Sequence, residues 1–192
     1  MRAMPESLAQ HIIEPVAIAH PLDEFYERTG LELPPVKRIS GDQLPDPYRS
    51  LLVHQNDMTS TLENFHGDRI HLHVVGRDRR NGHYYREVVL RLDRDEKPVE
   101  FGAIKINLDL FPTEAQARIL QERHPLGRIL KESSIDFASR PQGFLRIASD
   151  SLMHDLLKLN QTQLLFGRRN TLFDSSGRPL AEIVEILPPA TP

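Results

Sequence analysis

Tyr84-Tyr85-Arg86-Glu87-Val88-Val89-Leu90-Arg91-Leu92 decides how this chain folds. Side chains alternate between the two faces of a strand, so Arg86 shares its face with Tyr84, Val88, Leu90 and Leu92. Near the C-terminus, Leu180-Ala181-Glu182-Ile183-Val184-Glu185-Ile186-Leu187 puts Glu185 on a face with Ala181, Ile183 and Leu187 by the same rule. Both faces are apolar enough to point inward, yet each carries one charge, and the charges are opposite. A buried ionised group costs several kcal/mol unless it is paired or hydrogen-bonded. Arg86 and Glu185 therefore need partners, either each other or a ligand in a pocket with mostly apolar walls.

Strand signals flank the first segment, at residues 69–77 and 99–107, with the middle strand over 84–93. Arg79-Arg80-Asn81-Gly82 and Asp93-Arg94-Asp95-Glu96-Lys97 supply the turns of an antiparallel meander. A terminal hairpin is expected from Thr171–Asp174 and Leu180–Leu187 around Ser175-Ser176-Gly177. Helices are expected at Leu22–Arg28, stopped by Thr29-Gly30, and from Pro47-Tyr48 into Asp57-Met58-Thr59. Another starts at Thr113-Glu114-Ala115-Gln116 as a capping box and stops at His124-Pro125-Leu126-Gly127, and a last one spans 149–165. The order implies an α+β fold, an antiparallel β-sheet with helices packed on one side.

Seven of the fifteen prolines fall in residues 1–47, which predicts an ordered but irregular N-terminal extension packed on the domain. Residues 48–188 then form the domain proper, and 189–192 a frayed tail. At 192 residues the chain fits one domain able to bury about 70% of its unfolded surface. A net charge of −3 gives no reason to expect nucleic acid as a partner, and no apolar stretch approaches a membrane span. The first thirteen residues lack a secretory apolar core, so a cytoplasmic location is the default expectation. Without cysteine there is neither a disulfide framework nor a thiolate metal site. His71 and His73 share a strand face, but it is opposite the one carrying Ile70, Leu72 and Val74, so they read as solvated surface and no metal is expected. Phosphate-loop and nucleophile-elbow patterns are absent.

Several strings, in order, resemble the chorismate pyruvate-lyase (4-hydroxybenzoate synthase) family and its actinobacterial relatives. They are Asp57-Met58-Thr59 with Leu62, Tyr85-Arg86-Glu87-Val88-Val89-Leu90, His124-Pro125-Leu126-Gly127-Arg128-Ile129-Leu130, Gly167-Arg168-Arg169, and Gly177-Arg178-Pro179-Leu180 running to Glu185 and Pro188. Together they cover residues 50–188 or so. The resemblance implies a cofactor-independent lyase converting chorismate to 4-hydroxybenzoate and pyruvate, as a monomer or weak homo-oligomer. Arg86 would bind the ring carboxylate bidentately, main-chain groups at Met58 and Leu126 would complete the hydrogen bonding, and Glu185 would act at the ether oxygen. Aromatisation drives loss of pyruvate, so orientation and charge placement suffice.

Two departures from the family pattern matter. Some members carry a second arginine just after the glycine of the third strand, where this chain has Gly102-Ala103-Ile104-Lys105. Lys105 could hold the second carboxylate of chorismate, which is otherwise unassigned. A slip in the spacing of the last strand would move the acid from Glu185 to Glu182. The competing expectation is a non-catalytic module binding an aromatic carboxylate, because effector domains of certain transcription regulators share the lyase-like fold. Those normally follow a DNA-binding helix-turn-helix, for which residues 1–47 are too broken by proline.

Overall fold

The computed structural model describes residues 17–190; the expectations for the first thirteen residues and for the end of the tail lie outside them. Among the described residues seven strands form one antiparallel sheet: β1 (Val36–Ile39), β2 (Ile70–Arg80), β3 (His83–Leu92), β4 (Pro98–Asn107), β5 (Ala138–Ala148), β6 (Leu164–Phe173) and β7 (Pro179–Leu187). Their spatial order, β1-β5-β6-β7-β4-β3-β2, is two meanders, β2-β3-β4 and β5-β6-β7, joined where β4 pairs with β7. The Asn81-Gly82 turn between β2 and β3 has positive φ at both residues (50° and 75°), the backbone a two-residue hairpin needs to match strand twist. Both meander and terminal hairpin therefore form as the alternation predicts.

Six α-helices accompany the sheet among the described residues: α1 (Leu22–Thr29), α2 (Tyr48–Leu52), α3 (Met58–His66), α4 (Thr113–Leu120), α5 (Leu126–Glu132) and α6 (Ser151–Leu157). α2 to α5 lie on one side of the sheet, in two apolar clusters. Leu51, Leu52, Met58 and Leu62 pack with Leu90, Leu92 and Leu187. Ala115, Ile119, Leu126, Ile129 and Leu130 pack with Tyr84, Ile104, Ile106 and Leu172. α1 and α6 close the other face, where Leu22, Phe25, Tyr26, Met153 and Leu157 meet Val89, Phe101, Val184 and Ile186. No described helix is long and apolar enough to cross a membrane.

Several local expectations are corrected. The helix expected over 149–165 is only α6: Asp150 caps its start by accepting from Met153 N–H at 2.8 Å, and Lys158 ends it in a left-handed conformation (φ 55°). The apolar Leu164-Leu165-Phe166 that follows enters β6. Thr113 forms no capping box, since Pro112 holds the cap position and the Gln116 amide instead donates to Phe111 O at 2.9 Å. His124-Pro125-Leu126-Gly127 marks the start of α5 more than the stop of α4, because proline's fixed φ suits a helix N-terminus. β5 has no counterpart among the expected strands; a register shift between Pro141 and Gly143 lets the strand absorb its proline. Within the proline-rich lead-in, α1 forms and stops at Gly30 as expected (φ 71°), while β1 pairs with β5 as an edge strand.

Candidate functional site

Between the two clusters on the α2–α5 side lies a cavity of about 580 Å³, counting its open mouth. Its wall is mostly aliphatic, from Met58, Leu72, Val88, Leu90, Ile104, Leu126 and Leu172, and its polar groups come chiefly from the sheet. An apolar lining with a few convergent polar groups is typical of small-molecule sites.

Arg86 and Glu185 both line this cavity, as do Met58 and Leu126. The latter two are the first residues of α3 and α5, where N–H groups have no acceptor within the helix. Gly127 brings the helix starts together: a Cβ there would sit 3.0 Å from Oδ1 of Asp57, which caps α3 through Ser60 N–H. Asp57 is itself paired with Lys131 at 2.6 Å, so its charge is met.

Arg86 is 1% exposed, and its Nε and Nη1 have no hydrogen-bond partner. No ion pair involving it occurs among the described residues. Burial pulls its pKa down to about 10, against weaker support from Tyr84 and Glu122, so it still carries its proton at neutral pH. Glu122 cannot neutralise it by contact, being engaged by the Tyr84 hydroxyl and by Arg77 Nη1 at 2.6 Å.

Glu185 has a different partner from the one the two inward faces suggest. Arg168, opposite it on β6, donates from Nε to Oε2 of Glu185, and both side chains are buried. The rest of the Arg168 guanidinium donates to the carbonyls of Leu52 (3.2 Å), His54 (3.1 Å) and Asn56 (3.3 Å). His54 is held below its ordinary pKa by burial first and by the Arg168 charge second. Its neutral ring donates from Nε2 to Leu51 O, leaving Nδ1 to accept from Asn56 N–H and Arg168. The chain between α2 and α3 is thus pinned to the sheet by one arginine.

Glu100 also lines the cavity, on β4 between Arg86 and the Arg168–Glu185 pair. It is 5% exposed and its Oε2 has no partner. Burial, reinforced by the Glu185 charge and only partly offset by Arg168, raises its pKa well above the ordinary carboxyl range. Gly102 lies between Glu100 and Ile104 on the same strand face. A Cβ there would fall 2.0 Å from the Val184 carbonyl, so the close approach of β4 to β7 requires glycine.

Lys105 does not line the cavity. It lies on the opposite face of β4, where Nζ pairs with Glu182 Oε2 at 3.1 Å. Glu182 also receives Arg169 Nη2 at 2.9 Å, which places the alternative acid on that face too. His71 is surface, pairing with Asp93 and Glu96, and His73 is exposed. Sequence reasoning missed the roles of Arg168 and Glu100. The signals for them were the expected terminal hairpin, which, extended back along β6, sets Arg168 opposite Glu185, and the alternation that gives Glu100 the face of Ile104.

No family model matches the sequence, and no curated protein matches it. Solved structures do share the fold. PhnF from Mycobacterium smegmatis aligns over 90% of this chain and 95% of its own, with a TM-score of 0.57 at 10% identity. The separately solved effector domain of PhnF gives 0.55 over 72% of this chain and 91% of its own, at 11% identity. YydK from Bacillus subtilis subsp. subtilis str. 168 gives 0.51 over 88% and 92%, at 11% identity. The expected α+β fold is therefore shared with these structures, at identities that speak to architecture alone.

Proposed function

We propose that this chain is a receptor domain whose cavity binds a small aromatic monocarboxylate. The observation that carries this reading is Arg86, a buried and charged guanidinium with unfilled donors facing an apolar-walled cavity. A free cation in that position is costly, and a carboxylate accepting two parallel hydrogen bonds is the ligand group that best offsets the cost. Charge balance favours a single anion: Arg168 and Glu185 neutralise one another, leaving only Arg86 to be compensated in the cavity. The likeness in fold to an effector domain agrees with binding without turnover.

Calorimetric titration with 4-hydroxybenzoate tests the reading. Binding that weakens at least about tenfold in Arg86→Met supports it, as expected for a lost charge-assisted hydrogen bond. Equal binding by the wild type and the variant overturns it.

Conversion of chorismate to 4-hydroxybenzoate and pyruvate is the second reading, favoured by one observation: Arg86, Glu185, Met58 and Leu126 all line the same cavity. Against it stand the engagement of Glu185 by Arg168 and the location of Lys105 outside the cavity, which leaves the second carboxylate of chorismate without a cation. Release of pyruvate from chorismate by the purified protein, lost in Glu185→Gln, would establish the lyase.

A further inference from the structure

Two polar groups with no partner face the same cavity, and they differ in kind. Arg86 offers N–H donors with a positive charge. Glu100 offers a carboxyl that sits beside the Glu185 charge and away from water. Its own strand gives it no salt-bridging neighbour, and the nearby guanidinium of Arg168 spends its donors on Glu185 and on the carbonyls of Leu52, His54 and Asn56. A carboxyl in such surroundings keeps its proton and becomes a hydrogen-bond donor with acceptor capacity to spare.

The register fixes where these groups start. Arg86 pairs with Ile104 and Leu90 with Glu100, so Arg86 and Glu100 stand four residues apart along adjacent strands on one face. Strand dimensions put their Cα atoms ~14 Å apart. Between them the floor is Val88, Ile104 and the bare backbone of Gly102, with no charged side chain. After both side chains reach inward, the remaining span suits one ring with polar substituents at opposite ends. Glu185 starts only ~8 Å from Glu100 and already takes up the Arg168 charge, so a second anion on the ligand would find no unspent cation there.

We propose that Glu100 is the specificity-determining residue of this cavity: it selects aromatic monocarboxylates bearing a neutral hydroxyl opposite the carboxylate and rejects dicarboxylates. The inference rests on the carboxylate-receptor reading and adds the identity of the group at the far end of the ligand. A site that hydrogen-bonds a ligand hydroxyl discriminates strongly against the analogue lacking it, because its own buried polar group is then left unpaired.

The test uses benzoate, 4-hydroxybenzoate and benzene-1,4-dicarboxylate as probes, titrated into wild type, Glu100→Gln and Glu100→Leu. The wild type is expected to bind 4-hydroxybenzoate at least about tenfold more tightly than benzoate, with the dicarboxylate weakest of the three. Glu100→Gln, which keeps a donor and an acceptor, should retain the preference for the hydroxyl, while Glu100→Leu should bring the ratio close to one without losing benzoate. A general structural role for Glu100 would weaken all probes in parallel and leave the ratio unchanged, which overturns the inference. Equal wild-type affinity for benzoate and 4-hydroxybenzoate overturns it too, while leaving the carboxylate reading intact. Failure of the wild type to bind any probe overturns both.

Discussion

Arg168 and Glu185 face each other across β6 and β7 as a buried ion pair, and the same guanidinium holds three carbonyls of the segment leading into α3. Their pairing determines which charges in the cavity remain for a ligand. Removing Arg168 alone leaves Glu185 buried beside Glu100 with no counter-charge. Arg168→Leu is therefore expected to destabilise the fold by ~3–5 kcal/mol. The double variant Arg168→Leu/Glu185→Leu should recover a measurable part of that loss, although the freed carbonyls prevent full recovery. Denaturant midpoints of the single and double variants check this through the coupling energy.

Arg86 should behave in the opposite way. It has no salt-bridge partner to lose, so Arg86→Met replaces a desolvated charge with an apolar chain of similar length. Folding stability is expected to rise by ~1–3 kcal/mol while ligand affinity falls, the signature of a functional group kept at the expense of stability. Thermal unfolding without ligand, set beside calorimetric binding, measures both; a less stable Arg86→Met would show that the guanidinium has a structural partner.

Stability should also decline as pH rises through the weakly acidic range. The pKa of Glu87 is raised by burial, and secondarily by Asp150, to about 7, and burial beside the Glu185 charge raises that of Glu100 well above the ordinary range. For an acid whose folded pKa exceeds its unfolded value, the native state holds more protons between the two, so unfolding free energy falls with increasing pH. The contribution of Glu87 is complete below about pH 4.5 and is lost through about pH 7. Denaturation series from pH 5 to pH 8 should show a shallower decline in Glu87→Gln than in wild type; parallel slopes would contradict the assignment.

Lys105→Ala tests the face assignment of β4. Its partner Glu182 keeps Arg169, and the pair is partly exposed, so the stability loss should stay below ~1 kcal/mol. Affinity for 4-hydroxybenzoate should be unchanged, whereas a large loss would return Lys105 to the site.

Much of this arrangement was legible because alternation is a strong signal in apolar strands. Tyr84–Leu92 and Leu180–Leu187 each show one charge on an inward face, and both charges do line the cavity. What alternation could not supply was pairing: that Glu185 meets Arg168 depends on β6 lying beside β7, while Arg86 sits two strands away across β4. Glu100 was hidden by its position next to Pro98 and Val99 at the start of a strand, where an acid usually reads as solvated. β5 was obscured by Pro141 and Gly143, which ordinarily break strands but here fall at a bulge. The overlong helix at 149–165 arose because Leu164 and Leu165 continue a helical spacing that Lys158 has already interrupted.

The junction of β4 with β7 carries a mechanical consequence. It is the only strand pairing between the two hairpin triplets among the described residues, and Arg86 lies on one side of it while Glu185 and Arg168 lie on the other. A ligand held by Arg86 and Glu100 on one side packs against Leu172 and Ile183 of the other, so it acts as a rivet across that joint. Amide exchange should then slow together along Gly102–Ile106 and Ala181–Ile186 when the cavity fills, since parting the two halves would first require the rivet to leave.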